Sequence, residues 1–195
     1  DPKVSSVREA LGVAPDQIMV LTVGGDAASK GAQEVMQALA INDLKAPDWK
    51  YVCKVWPQPR TEQQNLADMH LATHLGIEKN VVYTTSRVSR NYMPYLLAAC
   101  DIYAAPSRLE GFGMIQVEAN ACGKPVIGIK AMGMLDTLIH GKTALLASVA
   151  QEIRLREAIV GDESGYKPGH RVVFKRPRIV DYRASVHDIA NYLMD

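Results

Sequence analysis

The feature that most constrains this chain is a repeated alternation of short β-prone apolar runs with segments of helical periodicity. The first run, 18–23, is followed by two glycines and then by apolar residues that recur every three or four positions. Strands that alternate with helices in this way join in parallel, because each helix carries the chain back to the same end of the sheet. The pattern predicts an α/β fold built on a Rossmann-like, doubly wound parallel sheet.

The same pattern fixes the expected elements along the chain. The predicted strands are 18–23, 49–55, 81–83, 102–105, 125–129 and 144–146. The predicted helical segments are 62–75, 114–122, 135–139, 151–160 and a last one through Val186, Ile189, Ala190 and Leu193, with two more capped by Ser29 and Ser89. Residues 161–182 mix Gly, Pro and basic side chains and predict an inserted loop or hairpin.

Length and composition limit the function classes. The 195 residues carry 22 Lys and Arg against 21 Asp and Glu, and this balance argues against a general nucleic-acid binder. With 48% hydrophobic and 22% charged residues, we expect one globular domain over 1–195. Cys53, Cys100 and Cys122 lie in separate apolar runs, which is typical of reduced core residues in a cytosolic protein. No apolar run approaches the length of a membrane span, and both chain ends look cut from a larger protein.

Two loops after predicted strands are the candidate ligand site. They are 24–31, which contains Lys30, and 106–113, and each opens a helix. Ligands of doubly wound sheets bind beyond the carboxyl ends of the strands, and a glycine-rich helix start favours an anion such as phosphate. Glycines that merely permit tight turns are the competing explanation for the first loop.

Two glutamates flank the helix that follows the second loop. Glu110 precedes the helix and Glu118 lies about two turns later, so both carboxylates can face one bound molecule. Carboxylates accept hydrogen bonds from paired hydroxyls, as a ribose or a hexose presents them. The alternative is a favourable partner of the helix dipole together with a solvated helix residue.

The stretch Glu110-Gly-Phe-Gly-Met-Ile-Gln-Val-Glu118-Ala-Asn-Ala-Cys-Gly123-Lys-Pro125 resembles the E-x7-E signature of the retaining glycosyltransferases of family four. In that family the signature lies in the C-terminal half of a GT-B fold. Further matching segments, in chain order, are Val23-Gly24, Lys30-Gly31, 97–101, Pro106-Ser107 and Gly141-Lys142-Thr143 before Leu145-Leu146. The resemblance covers about residues 4–147.

The resemblance implies a domain that binds a nucleotide-diphosphate sugar as donor substrate, without a cofactor and without a metal. It implies catalytic roles for Lys30, which would stabilise the leaving diphosphate, and for Glu110, which would contact the donor sugar. Glu118 would hold the ribose, and the base would lie near Arg87 and Val88. The implied substrate-binding residues are Gly24, Gly25, Lys30, Arg87, Val88, Glu110, Gly111, Phe112, Gly113, Met114 and Glu118.

The implied activity is transfer of a sugar, with retention of anomeric configuration, to a sugar, lipid or other hydroxyl acceptor. Acceptor contacts would belong to an N-terminal domain that this chain lacks, so the isolated domain should bind donor and turn over little. We expect a cytoplasmic location, with peripheral contact at the inner membrane face as a further option. The alternatives are another GT-B enzyme, such as a nucleotide-sugar epimerase or a phosphorylase, and a non-catalytic nucleotide-sugar sensor.

Two places depart from the family pattern. Trp56-Pro57-Gln58-Pro59 replaces the family's glycine turn after the second strand, and Gly25 stands where an arginine is common. Arg108 is a candidate substitute for that cation.

The other motifs in the sequence do not indicate a different kind of site. His70 and His74 have the spacing of metal ligands but no third partner, and Gly141-Lys142-Thr143 lacks the first glycine of a P-loop.

Overall fold

The central sheet has six parallel strands. The computed structural model describes residues 1–42, 48–57, 59–159 and 169–194. The strands are β1 (Ile18–Val23), β2 (Trp49–Lys54), β3 (Val81–Thr84), β4 (Ile102–Ala104), β5 (Val126–Ile129) and β6 (Leu145–Ala147). They are ordered β3-β2-β1-β4-β5-β6, and every neighbouring pair is parallel. This order is that of a Rossmann sheet, so the predicted fold class is confirmed.

The helices pack in two groups around this sheet. They are α1 (Pro2–Ala10), α2 (Ala32–Asn42), α3 (Pro59–His74), α4 (Met93–Ala99), α5 (Met114–Ala121), α6 (Met134–Thr137) and α7 (Val186–Tyr192). α2 packs against α3 and α7, whereas α4 packs against α1 and α5. Right-handed crossovers place helices on opposite faces of a sheet when the strand order reverses, which accounts for the two groups.

Helix α1 was not predicted from the sequence, and long-range contacts hold it in place. The Arg8 guanidinium donates to the Ala99 carbonyl at 2.9 Å and to the Asp101 carboxylate at 2.9 Å. Asp101 also accepts from the Met19 backbone N–H at 2.7 Å, so one carboxylate ties the helix to the start of β1. The local sequence also marks the start of this helix, because the Asp1 side chain accepts from the Lys3 N–H as an N-cap and Pro2 lies in the first turn, a signal that the sequence analysis missed.

The two predicted serine caps are wrong. Ser29 lies within a 3-10 turn, Ala28–Lys30, and Gly31 at φ +83° redirects the chain before α2 begins. Another 3-10 turn, Arg90–Tyr92, separates Ser89 from α4, and the Ser89 side chain makes no capping hydrogen bond. In both places the chain tightens before the helix, so the serine lies too early to cap it.

The helix predicted at 151–160 is also wrong, because residues 151–159 belong to a strand. β7 (Val149–Ile159) pairs with β8 (Arg171–Ala184) in a two-stranded antiparallel ribbon, with register shifts along its length. Cross-strand pairing outweighs a weak local helix preference in this Glu- and Arg-rich segment. Residues 161–168 of the predicted insertion lie outside the described residues, and 171–182 form most of β8.

Among the described residues, we find no helix with the length and apolarity needed to cross a membrane. The core consists of the strands and the inward faces of the helices. Its largest fully buried side chains include Tyr51, Tyr103, Met19, Leu21, Met36 and Leu97.

Candidate donor-binding site

The loops after β1 and β4 meet where the strand order reverses. β1 and β4 are neighbours in the sheet although two strands separate them along the chain. A Cβ atom at Gly31 would lie only 2.5 Å from the Pro106 carbonyl oxygen, and the Arg108 N–H donates to the Ser29 carbonyl at 2.9 Å. The two loops predicted from the sequence therefore form one continuous surface at the switch point of the sheet.

Lys30 and Glu110 join the two loops through an ion pair. The Lys30 ammonium donates to Glu110 Oε2 at 2.6 Å, and the two side chains are 23% and 16% exposed. The Ser107 hydroxyl donates to the same carboxylate oxygen at 3.4 Å. Two residues 80 positions apart in sequence, both predicted to be catalytic, thus lie in direct contact.

The contact region of Lys30 and Glu110, called the Lys30–Glu110 corner below, favours the charged form of the Glu110 carboxyl, as its pKa shows. Burial by itself would raise the pKa of this carboxyl. The Lys30 hydrogen bond and charge, followed by the backbone N–H groups of Gly113 and Phe112, outweigh burial and lower the pKa below its ordinary value. A cation and two amides therefore converge on one point and stabilise an anion there.

A cavity of about 290 Å³ lies against this corner. It is lined by Val23, Lys30, Tyr103, Glu110, Phe112, Gly113, Met114, Ile115 and Gln116. Gly113, at φ +80°, turns the chain into α5, whose first turn has no side-chain cap. Buried Gln116 holds the opposite wall by donating to the Ala105 carbonyl at 3.3 Å. An uncapped helix start beside a lysine suits a phosphate group.

The glycine pair Gly111 and Gly133 sets the position of this loop. A Cβ atom at Gly133 would lie 1.8 Å from the Gly111 carbonyl oxygen, so only glycine permits the two backbones to approach this closely. The Thr137 hydroxyl adds a hydrogen bond to the Phe112 carbonyl at 2.9 Å. Contacts with Gly133 and with Thr137 of α6 therefore fix the position of the segment that carries Glu110.

A second cavity of about 380 Å³ adjoins the first, because Val23 lines both. Its other lining residues are Lys54, Trp56, Pro57, Arg87, Val88 and Met93. The structure thus brings the predicted Arg87 and Val88 next to the Lys30 corner. The sequence analysis missed Lys54 and gave Trp56 no site role, although both lie at the carboxyl end of β2, where ligand contacts concentrate in such sheets.

Four other predicted residues are not among the described lining of either cavity. Gly24 and Gly25 directly follow β1, and a Cβ at Gly24 would lie 2.6 Å from Lys30 Cγ. Gly111 and Glu118 are exposed and belong to the described lining of neither cavity. Glu118 lies one helical turn after Met114. Burial is the main cause that raises the pKa of Tyr103, and the negative charge of Glu118 is a smaller cause in the same direction.

Arg108 does not serve as the substitute cation that the sequence suggested. Its guanidinium donates to Gln33 at 2.8 Å and to both oxygens of buried Glu34 at 3.1 Å. The Arg183 guanidinium approaches the same carboxylate at 3.6 Å, and the Tyr182 N–H donates to the Arg108 carbonyl at 2.9 Å. Arg108 therefore joins the loop after β4 to the base of the β7–β8 ribbon.

The remaining sequence candidates stay outside the site. His70 and His74 are exposed on α3, and the described part of the chain contains no cluster of His, Cys, Asp and Glu that suits a metal ion. A groove of about 730 Å³ at the amino-terminal ends of β5 and β6 is lined by Gly141, Lys142 and Thr143, among others. It lies at the opposite edge of the sheet from the loops after β1 and β4.

The family model described as glycosyl transferases group 1 matches residues 4–160. The D-inositol 3-phosphate glycosyltransferase of Mycolicibacterium gilvum is 33% identical over 144 residues, which are 73% of this chain and 31% of that protein. That of Jonesia denitrificans is 28% identical over 148 residues, 75% of this chain and 35% of that protein. The chain thus spans about a third of the length of these relatives.

Solved structures agree with these matches. Anabaena Alr3699/HepE in complex with UDP-glucose superposes with a TM-score of 0.66 at 30% identity, over 75% of this chain and 39% of that chain. The C-terminal domain of the group 1 glycosyl transferase LpcC from Francisella tularensis shares the fold, with a TM-score of 0.62 at 22% identity, over 73% of both chains. With the family model covering most of its length, the chain belongs to the glycosyl transferases of group 1.

Proposed function

We propose that this chain is the donor-binding domain of a retaining glycosyltransferase that uses a nucleotide-diphosphate sugar. The observation that carries the proposal is the Lys30–Glu110 corner, where an ammonium and the Phe112 and Gly113 amides converge beside an uncapped helix start. This arrangement suits a diphosphate that gains negative charge as the sugar departs. The UDP-glucose complex of the related HepE supports the same ligand class.

In this mechanism Lys30 and the backbone of Phe112 to Met114 hold the diphosphate leaving group. Glu110 accepts hydrogen bonds from hydroxyls of the donor sugar, and Glu118 accepts from the ribose, as the E-x7-E resemblance implies. The acceptor hydroxyl attacks the anomeric carbon on the face that the diphosphate leaves, and the diphosphate takes the acceptor's proton. The chain contributes position and electrostatic stabilisation, and no covalent nucleophile is required.

A metal is not required in this proposal, because Lys30 and the start of α5 supply the positive charge. The acceptor would be a sugar, lipid or other hydroxyl compound held largely by an N-terminal domain. By itself, this domain would bind donor with little turnover. The free thiols of Cys53 and Cys100, both buried, support a reducing, cytoplasmic compartment.

The test is calorimetric titration of the domain with UDP, GDP, ADP and their sugar conjugates, with and without EDTA. We expect one or more nucleotides to bind equally well in EDTA and to lose about ten-fold or more in affinity on Lys30→Met or Glu118→Ala. Glu62→Ala, at an exposed site on α3, is the matched control. Unchanged affinity in both site variants would reject the proposed roles.

A non-catalytic nucleotide-sugar sensor is the second candidate function, and Gly25 is the observation that favours it. No side chain extends from this position, where the resembled enzymes carry an arginine, and a Cβ here would meet only the Trp56 ring, at 3.6 Å. Transfer or hydrolysis of donor by the full-length protein would exclude the sensor. Product analysis in the same assay separates transfer from epimerisation and phosphorolysis.

A further inference from the structure

Lys54, the last residue of β2, is a buried lysine with no acidic partner among the described side chains. Its side chain is almost fully shielded, with 3% of the residue exposed, and its ammonium donates to the Val55 carbonyl at 2.8 Å. No ion pair within the described ranges includes Lys54, and burial lowers its pKa. An ammonium has three N–H donors, and a buried charge needs acceptors for them.

The surroundings of Lys54 show where such acceptors can come from. Lys54 lines the second cavity together with Trp56, Arg87 and Val88, and none of the described lining residues is acidic. The cavity therefore offers two cations, an exposed indole ring and apolar walls. This combination suits a planar ring that carries oxygen acceptors.

The strand order relates this cavity to the diphosphate corner. Lys30 and Glu110 follow β1 and β4, Lys54 ends β2, and Arg87 follows β3, in the spatial order β3-β2-β1-β4. Neighbouring strands lie about 4.8 Å apart, so a ligand whose phosphates rest at Lys30 reaches Lys54 one strand further along. Val23 lines both cavities and is paired with Lys54 in the register of β1 and β2, so the two cavities meet at this residue.

We propose that Lys54 recognises the base of the donor nucleotide by donating a hydrogen bond to a ring carbonyl oxygen, which selects uracil or guanine over adenine. Uracil and guanine present carbonyl oxygens on their edges, whereas adenine presents an amino group in the equivalent place. An adenine amino group in that place would put one hydrogen-bond donor against another, and neither the amino group nor the ammonium would gain an acceptor. This inference rests on the proposed function and narrows it to a class of base.

The test compares the affinities of UDP, GDP and ADP for the wild-type domain and for Lys54→Met. We expect the wild type to bind UDP or GDP about 10- to 100-fold more tightly than ADP, as for a hydrogen bond from a charged donor. Lys54→Met should remove this preference by weakening the carbonyl-bearing nucleotide, with ADP affinity unchanged. Lys50→Met is the matched control, because Lys50 lies on the same strand and donates to the Lys79 carbonyl instead.

Each outcome decides between specific roles. Equal weakening of all three nucleotides by Lys54→Met would place Lys54 at the phosphates and overturn the inference, as would an unchanged preference. Failure of all three to bind the wild type would reject the proposed function itself. Lys54→Met exchanges a buried charge for an apolar side chain of similar length, so its Tm should not fall; if it does, Lys54→Gln provides a neutral donor that should retain part of the preference.

Discussion

Replacing Lys30 with methionine should destabilise the domain in a pH-dependent way. The Lys30 ammonium lies 2.6 Å from Glu110 Oε2, and both side chains are mostly shielded from solvent. A charge-assisted hydrogen bond in such a partly buried site contributes about 1–2 kcal/mol to the free energy of unfolding. Methionine also leaves the Glu110 carboxylate shielded with only the backbone donors and the Ser107 hydroxyl, and burial then opposes its ionisation.

The sign of the pH dependence follows from the lowered pKa of Glu110. A carboxyl whose pKa is lower in the folded state than in the unfolded state adds stability above its unfolded pKa, near 4.5. That contribution is lost as the pH falls through the folded pKa. The stability difference between wild type and Lys30→Met should therefore be full at pH 7 and smaller at pH 3.

The assay is urea denaturation of wild type, Lys30→Met, Glu110→Gln and the double variant, followed by tryptophan fluorescence at both pH values. We expect the two single substitutions to be less than additive at pH 7, with a coupling free energy of about 1 kcal/mol or more. Additive effects at pH 7, or the same Lys30→Met cost at pH 3, would refute the ion-pair reasoning. Lys50→Met should show no such pH dependence.

Two further results are expected from the packing of the described residues. Gly133→Ala should cost about 2 kcal/mol or more in the free energy of unfolding and weaken nucleotide binding, because the new Cβ would overlap the Gly111 carbonyl oxygen. Thermal denaturation would show only about 1–2 kcal/mol for Gly76→Ala, which has a positive φ but nothing within 4 Å; equal costs would contradict the steric argument. With Ellman's reagent at pH 8, half-buried Cys122 should react first, since burial raises the pKa of the other two thiols, Cys53 and Cys100, to about 12. Rapid reaction of more than one thiol in the folded domain would show that this burial is incomplete.

The sheet and the position of the site were predictable because their signals are local. Apolar runs such as 18–23 are buried along their length, and the glycines and lysine that follow them mark the ligand edge directly in the sequence. The strand order then follows from the fold class, since it is the order typical of a Rossmann sheet.

The remaining features depend on contacts between distant residues. Arg108 was a candidate substitute for the arginine that Gly25 replaces, but its side chain is held by Glu34, which is 74 positions away. A helix was predicted at 151–160, whereas pairing with the distant segment 171–184 makes 149–159 a strand. Lys54 was not predicted as a site residue, because nothing in the local sequence shows that a lysine within a strand is buried.

The stem of the β7–β8 ribbon has a consequence for how this domain can vary. Ser148 and Ser185 flank the ribbon and are already joined, because the Ser185 N–H donates to the Ser148 carbonyl at 2.8 Å. Asp188 strengthens the closure by accepting from both the backbone N–H and the hydroxyl of Ser148, at 2.8 and 2.6 Å. The route from β6 to α7 is therefore closed at the base of the ribbon. The part of the ribbon beyond Tyr182 and Arg183, which contact Arg108 and Glu34, can be shortened or exchanged while the sheet and the last helix keep their connection.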